Sequence, residues 1–210
     1  MPLWGTTHDA VTNKPKFEPT SEDSDYKRGD VYATNAGWVR QAGTAASGND
    51  NTSANPEVLV AIGDLAGSSS TTGLRAPTVT SMRFVTGSTA ATDLTAGSSS
   101  QTLTVEVTWD EAVTVATSNP TVVLANGNQG SGSGRGPYTL VYTATGSTAN
   151  RKRFTLASQT IAEDDVLTLG GANIVLANSS TISDTAVGGT TLAASLVLSG
   201  LTAVTHTVLA

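Results

Sequence analysis

From Pro77 onward, turn-forming residues recur at intervals of roughly 8–15 residues, with short Thr-, Val- and Leu-rich runs between them. This punctuation constrains the fold more than any other feature, because each run has the length of a strand. The clearest run is QTLTVEVTWD, residues 101–110. Its alternation sets Leu103, Val105, Val107 and Trp109 on one face and Thr104, Glu106 and Thr108 on the other. Trp109 ends this run and is expected in the core.

Further strands are expected at 78–85, 121–126, 138–145 and 153–161, with short ones over 165–178, 190–200 and 201–210. The glycine-rich GNQGSGSGRG, 127–136, reads as a long hairpin loop between two of them. Composition agrees: only 13% of residues are charged, and Thr is favoured on a half-buried pleated surface. The expected fold is all-β: residues 76–210 form an Ig-like antiparallel β-sandwich, preceded by an extended arm with short strands over residues 1–75.

The first 75 residues read differently. Of ten aromatic residues in the chain, Trp4, Phe17, Tyr26, Tyr32 and Trp38 lie within the first 38 positions, with few aliphatic companions. The stretch KFEPTSEDSDYKRGD is polar and carries both signs of charge. Rings in such a segment must dock on the rest of the chain or on a partner. One strand is expected over Asp30–Gln41 and another over Glu57–Ile62, and residues 63–77 read as a Gly/Ser/Thr linker. Arg28-Gly29-Asp30 matches an adhesion tripeptide, but Gly29 and Asp30 suit a turn before a strand.

The chain has no cysteine, which excludes disulfides and thiolate zinc sites. A net charge of −6 argues against binding nucleic acid through phosphate neutralisation. The short run Arg151-Lys152-Arg153 reads as a solvated start of a strand. No apolar stretch approaches the ~18 residues that span a bilayer, so no membrane partner is expected. The N-terminus does not resemble a signal peptide.

Enzyme signatures are absent. His8 and His206 stand near opposite ends, no G-x-S-x-G elbow occurs, and residues 130–136 lack the Lys-Ser/Thr ending of a phosphate loop. The acidic groups Asp110-Glu111, Glu163-Asp164-Asp165 and Asp184 could offer oxygens to calcium, but they read better as turn caps at strand ends. No cofactor or metal is expected.

Residues 107–125, VTWDEAVTVATSNPTVVLA, and 152–186 resemble a bacterial Ig-like module found in surface adhesins and phage virion proteins. The N-terminal MPLWGTTHDAVTNKPKF, VYATNAGWVRQ and EVLVAIGDL resemble the opening of small virion structural proteins of marine tailed phages. Pro2, Leu3, Trp4, Gly5, Gly37, Trp38, Val39, Leu59, Val60, Ala61 and Ile62 carry that likeness. The resemblance implies a non-enzymatic virion protein, assembled in the host cytoplasm. It would be a capsid decoration or cement protein that docks on the major capsid protein, another virion subunit or its own copies. Trp4, Phe17, Tyr26, Tyr32 and Trp38 would then be the partner-binding rings. The alternative is an adhesive module, tail- or fibre-associated, that contacts a host glycan or surface protein.

Overall fold

The computed structural model describes residues 28–43, 50–66, 74, 76–86, 89–90, 94, 97–117, 119–128, 136–184 and 191–209. Thirteen strands and one 3-10 turn make up its regular structure, and all strand pairs within the sheets are antiparallel. The all-β expectation holds at that level.

The main body is one sheet of eight strands: β4 (Val79–Thr86), β5 (Thr89–Ala90), β6 (Gly97–Trp109), β8 (Thr121–Asn128), β9 (Tyr138–Thr143), β10 (Arg151–Ile161), β11 (Asp165–Leu169) and β13 (Val204–Thr207). Their order is β13-β11-β8-β9-β10-β6-β4-β5. The sheet curls until its two ends nearly meet. At the seam, the Leu94 N–H donates to Nε2 of His206 on β13 at 2.9 Å, and the Leu209 N–H donates to Leu94 O at 2.8 Å. Met82 of β4 packs over Gly170 at the end of β11, where φ is +100° and a Cβ would collide with the Met82 methyl. Closing the sheet satisfies backbone groups that an open edge would leave unpaired.

Inside the curl, alternation does what the sequence implies. Leu103, Val105, Val107 and Trp109 are buried together with Val122, Leu124, Leu140, Phe154, Leu167 and Leu169. Trp109 is fully buried, and its indole N–H donates to Ser195 O at 3.0 Å. A small sheet of β7 (Val113–Ala116) and β12 (Thr181–Asp184) adds Val113 and Ile182 to the same core. β8 and β9 pair directly, as the glycine-rich hairpin between them requires; residues 129–135 lie outside the described residues.

Two expected strands are corrected. Residues 172–178 and 191–200 contribute only isolated bridges, Val175 with Thr121 and Ala193 with Ser183. Their backbone groups find scattered partners instead of a ladder. Ile174 N–H donates to Leu196 O, Ser195 N–H to Pro77 O, and Asn173 Oδ1 accepts from Leu198 N–H.

The N-terminal part also differs from its sequence reading. Asp30–Gln41 is not one strand but a hairpin of β1 (Val31–Thr34) and β2 (Gly37–Arg40), and β3 (Glu57–Ala61) pairs beside β2. Thr34 Oγ1 closes the turn by donating to Gly37 O and accepting the Ala36 N–H. Gly37 sits at φ +123°, and a Cβ there would strike Val60 O, so only glycine fits. Val31, Ala33 and Trp38 form a second, small core with Leu65 and Leu74. Both leucines come from the stretch that reads as a linker, and Leu74 N–H donates to Leu65 O at 2.7 Å. Those ends of the 63–77 stretch are packed structure. Residues 67–73 and 75 lie outside the described residues.

Candidate functional site

Two groups of chemistry-bearing side chains lie where the N-terminal hairpin meets the main body. The first group is a charge cluster around Glu106, near the C-terminal end of β6. Antiparallel pairing sets Arg83 of β4 and Arg153 of β10 directly opposite Glu106, one on each side. Arg83 donates from Nε and a terminal nitrogen to Oε1, at 3.0 and 2.8 Å. Arg153 Nε donates to Oε2 at 3.0 Å, and Arg151 stands 3.4 Å from Oε1. Burial works to raise the Glu106 carboxyl, but Arg151, Arg83 and Arg153 outweigh it and hold the group below the usual carboxylate range.

Arg151 carries the cluster outward to the N-terminal segment. It pairs with Asp30 at 3.2 Å, and its Nε donates to Gly29 O at 3.3 Å. Asn150 Nδ2 donates to the same Gly29 oxygen at 2.9 Å. The Arg28–Asp30 turn is therefore clamped onto the start of β10, as a turn ahead of β1. Asp30 is buried against Arg151, so the tripeptide does not present its carboxylate as an adhesion motif does.

The basic run at 151–153 does begin a strand, but it is not solvated. Arg151 and Lys152 are buried, Lys152 by its own turn: Nζ donates to Thr148 O at 2.6 Å and Ala149 O at 3.1 Å. Burial lowers the Lys152 ammonium to about 8. These cations are spent on this chain's own oxygens.

The second group lies around Asp110-Glu111, just past the end of β6. Ala33 N–H donates to Asp110 O at 2.7 Å, and Ala33 forms a parallel bridge with Glu111. Beside this contact is a cavity of about 200 Å³. Its floor is Tyr32, Ala33, Glu111 and Asp184, all buried. Thr34, Asn35, Ala66 and Ala112 form a half-exposed rim. Glu111 is only 3% exposed, yet its Oε1 has no hydrogen-bond partner. Burial, then the charges of Asp110 and Asp184, push its carboxyl up to about 8.

Of the acidic residues expected to cap turns, Asp165 does so within its own turn, whereas Asp110 and Asp184 accept amides from other segments of the chain. Asp110 Oδ1 accepts the Thr78 N–H at 2.6 Å, Asp165 Oδ2 accepts the Ala162 N–H at 3.0 Å, and Asp184 Oδ1 accepts the Leu192 N–H at 2.9 Å. Among the described residues, no three acidic or histidine side chains are arranged to hold a metal ion. His206 is engaged as a seam acceptor and lies 5.8 Å, centroid to centroid, from the Phe84 ring.

Of the five aromatic residues expected to bind a partner, Trp4, Phe17 and Tyr26 lie outside the described residues. Tyr32 and Trp38 are brought into the same hairpin but onto opposite faces, since Tyr32 pairs with Val39 and Ala33 with Trp38. Trp38 is fully buried in the small core, and Tyr32 is buried in the floor of the cavity between hairpin and body. A partner would reach Trp38 only by opening the small core, and Tyr32 only by parting the hairpin from the body. Glu106 and its arginines form no motif in the sequence. The available signal was a charge at an alternating position of the best strand, flanked in space by strands that each carry arginine. Compared with protein-family models, curated proteins and solved structures, the chain finds no match.

Proposed function

We propose that this chain is a non-enzymatic phage virion structural protein, of the capsid decoration or cement kind. Its N-terminal region docks on the major capsid protein or another virion subunit, and its C-terminal region is displayed as an Ig-like domain. One observation carries the reading. Asp30, Gly29 and Ala33 fasten the N-terminal hairpin to β10 and to Asp110, so the chain N-terminal to Arg28 departs from a fixed point on a folded body. That preceding sequence holds Trp4, Phe17 and Tyr26 amid mixed charge. Aromatic rings tethered to a rigid anchor point suit an interface, because the body adds no ordering cost of its own on binding.

The test compares the full chain with a chain that starts at Arg28. Each is produced together with the structural proteins encoded beside it, and assembled particles are isolated by sedimentation. The full chain is expected to co-sediment in stoichiometric amount. The shortened chain is expected to keep its melting temperature and lose the particles. Equal incorporation of both chains would move the docking surface off the first 27 residues, and absence of the full chain from particles would overturn the virion reading.

A further inference from the structure

We propose that the cavity between the N-terminal hairpin and the main body is a receptor for a primary alkylammonium group, with Glu111 as its acceptor. The cavity offers two carboxylate side chains on its floor, and carboxylates accept hydrogen bonds without donating any when ionised. Asp184 already receives the Leu192 N–H, whereas Glu111 Oε1 is buried with no donor against it. Buried polar atoms without partners are uncommon and call for a ligand or a water. The space of about 200 Å³ exceeds the ~30 Å³ that one water occupies in the liquid.

The walls select what fills it. Ala33, Ala66 and Ala112 line it as small apolar residues, which suit an alkyl stem rather than a hydrated ion. No third acidic side chain completes a metal site among the described residues. A compact cation with N–H donors on a short apolar stem meets both demands. Thr34 and Asn35 on the half-exposed rim leave a way in.

Binding is coupled to a proton. Near neutral pH the Glu111 carboxyl, raised to about 8 by burial, Asp110 and Asp184, carries its proton. To hold an ammonium it must lose that proton: its O–H bond breaks, the proton passes to the buffer, and no covalent bond to the amine forms. Tyr32, whose hydroxyl burial raises further above its ordinary range, stays neutral throughout. Affinity therefore rises with pH through about 8 and falls again only where the amine itself deprotonates, above about pH 10.

The site stands independently of the virion reading, since amine binding and particle association are measured on separate samples. Calorimetric titration of the full chain with n-butylammonium is expected to give saturable one-to-one binding, tighter at about pH 9 than at about pH 7. At the lower pH its heat should follow the ionisation enthalpy of the buffer. Glu111→Gln is expected to weaken binding at least about tenfold. Ala112→Leu fills the rim without touching a charge and should do the same, which keeps the test informative if Glu111→Gln folds poorly. Tetramethylammonium, which has no N–H, should not bind. Saturable binding of 1,4-diaminobutane over a single-lysine peptide assigns a free polyamine, and the reverse assigns a lysine of a neighbouring chain; either supports the site. No saturable heat with n-butylammonium, equal binding by Ala112→Leu, or equal binding of tetramethylammonium overturns it. So does calcium binding that Glu111→Gln removes.

Discussion

Arg153 lies directly opposite Glu106 across β10 and β6, and its Nε donates to Glu106 Oε2 at 3.0 Å. Arg83 mirrors this from β4, so a single carboxylate accepts from arginines on both neighbouring strands. Removing one member of a buried ionic group costs more than the group is worth as a whole, because the remaining charges stay desolvated and uncompensated. Glu106→Gln keeps size and shape but leaves three guanidinium groups facing a neutral amide. Chemical denaturation is expected to show a loss of about 3 kcal/mol or more. The pH dependence has a definite sign. A carboxyl held low in the folded chain contributes stability that is fully present above its ordinary value of 4.5 and lost as pH falls through the folded value. Acid unfolding of the native chain should therefore carry this contribution, and Glu106→Gln should unfold with a shallower acid limb. An unchanged acid limb would mean that the cluster is not formed in solution.

Most of the main sheet was legible because β6, β8, β9, β10 and β11 combine period-two alternation with strong turn residues at their ends. What lay hidden was pairing. Glu106 occupies the face that alternation assigns to solvent. Its burial follows from arginines on β4 and β10 and from the Arg28–Asp30 turn, all distant in sequence. The hairpin at Thr34-Asn35-Ala36-Gly37 escaped because its turn has no proline and a single glycine, so the chain around it reads as one continuous strand. Leu65 and Leu74 were buried in a stretch whose Gly, Ser and Thr content signals a linker, since two leucines are too few to register against that background. The cavity between hairpin and body brings together residues as far apart as Tyr32 and Asp184, a relationship no local pattern contains.

Trp38 was expected to anchor a partner, and its place in the small core changes what its substitution should do. It packs with Val31, Ala33, Leu65 and Leu74, and its Nε1 has no hydrogen-bond partner. Truncating a buried tryptophan costs about 3–5 kcal/mol through lost transfer and a cavity. Trp38→Ala is expected to lower the melting temperature sharply and to expose the hairpin to protease. Trp38→Phe keeps most of the ring volume and discards an N–H that bonds to nothing, so it should cost far less. A Trp38→Ala chain with native stability and weakened particle binding would return this ring to an interface.

Glu111 makes the opposite pH prediction from Glu106. Its carboxyl is raised from 4.5 to about 8, so the folded chain binds a proton that the unfolded chain has already released across that interval. Stability then falls as pH rises, because the unfolded state binds fewer protons. The penalty is absent below about 4.5 and complete above about 8. Its seat is the contact between Ala33 and Asp110-Glu111, so the strain should appear first as loosening of the N-terminal hairpin. Glu111→Gln removes the ionisable group while keeping its shape. Melting temperatures followed from mildly acidic to mildly alkaline pH should decline for the native chain and stay nearly level for Glu111→Gln. Hydrogen exchange at the Ala33 amide, which donates to Asp110 O, should show the same divergence. After correction for the intrinsic rise of exchange with pH, its protection should fall in the native chain alone. Parallel pH profiles for the two chains would show that Glu111 ionises without cost, and that the cavity is wetter and more open than its lining implies.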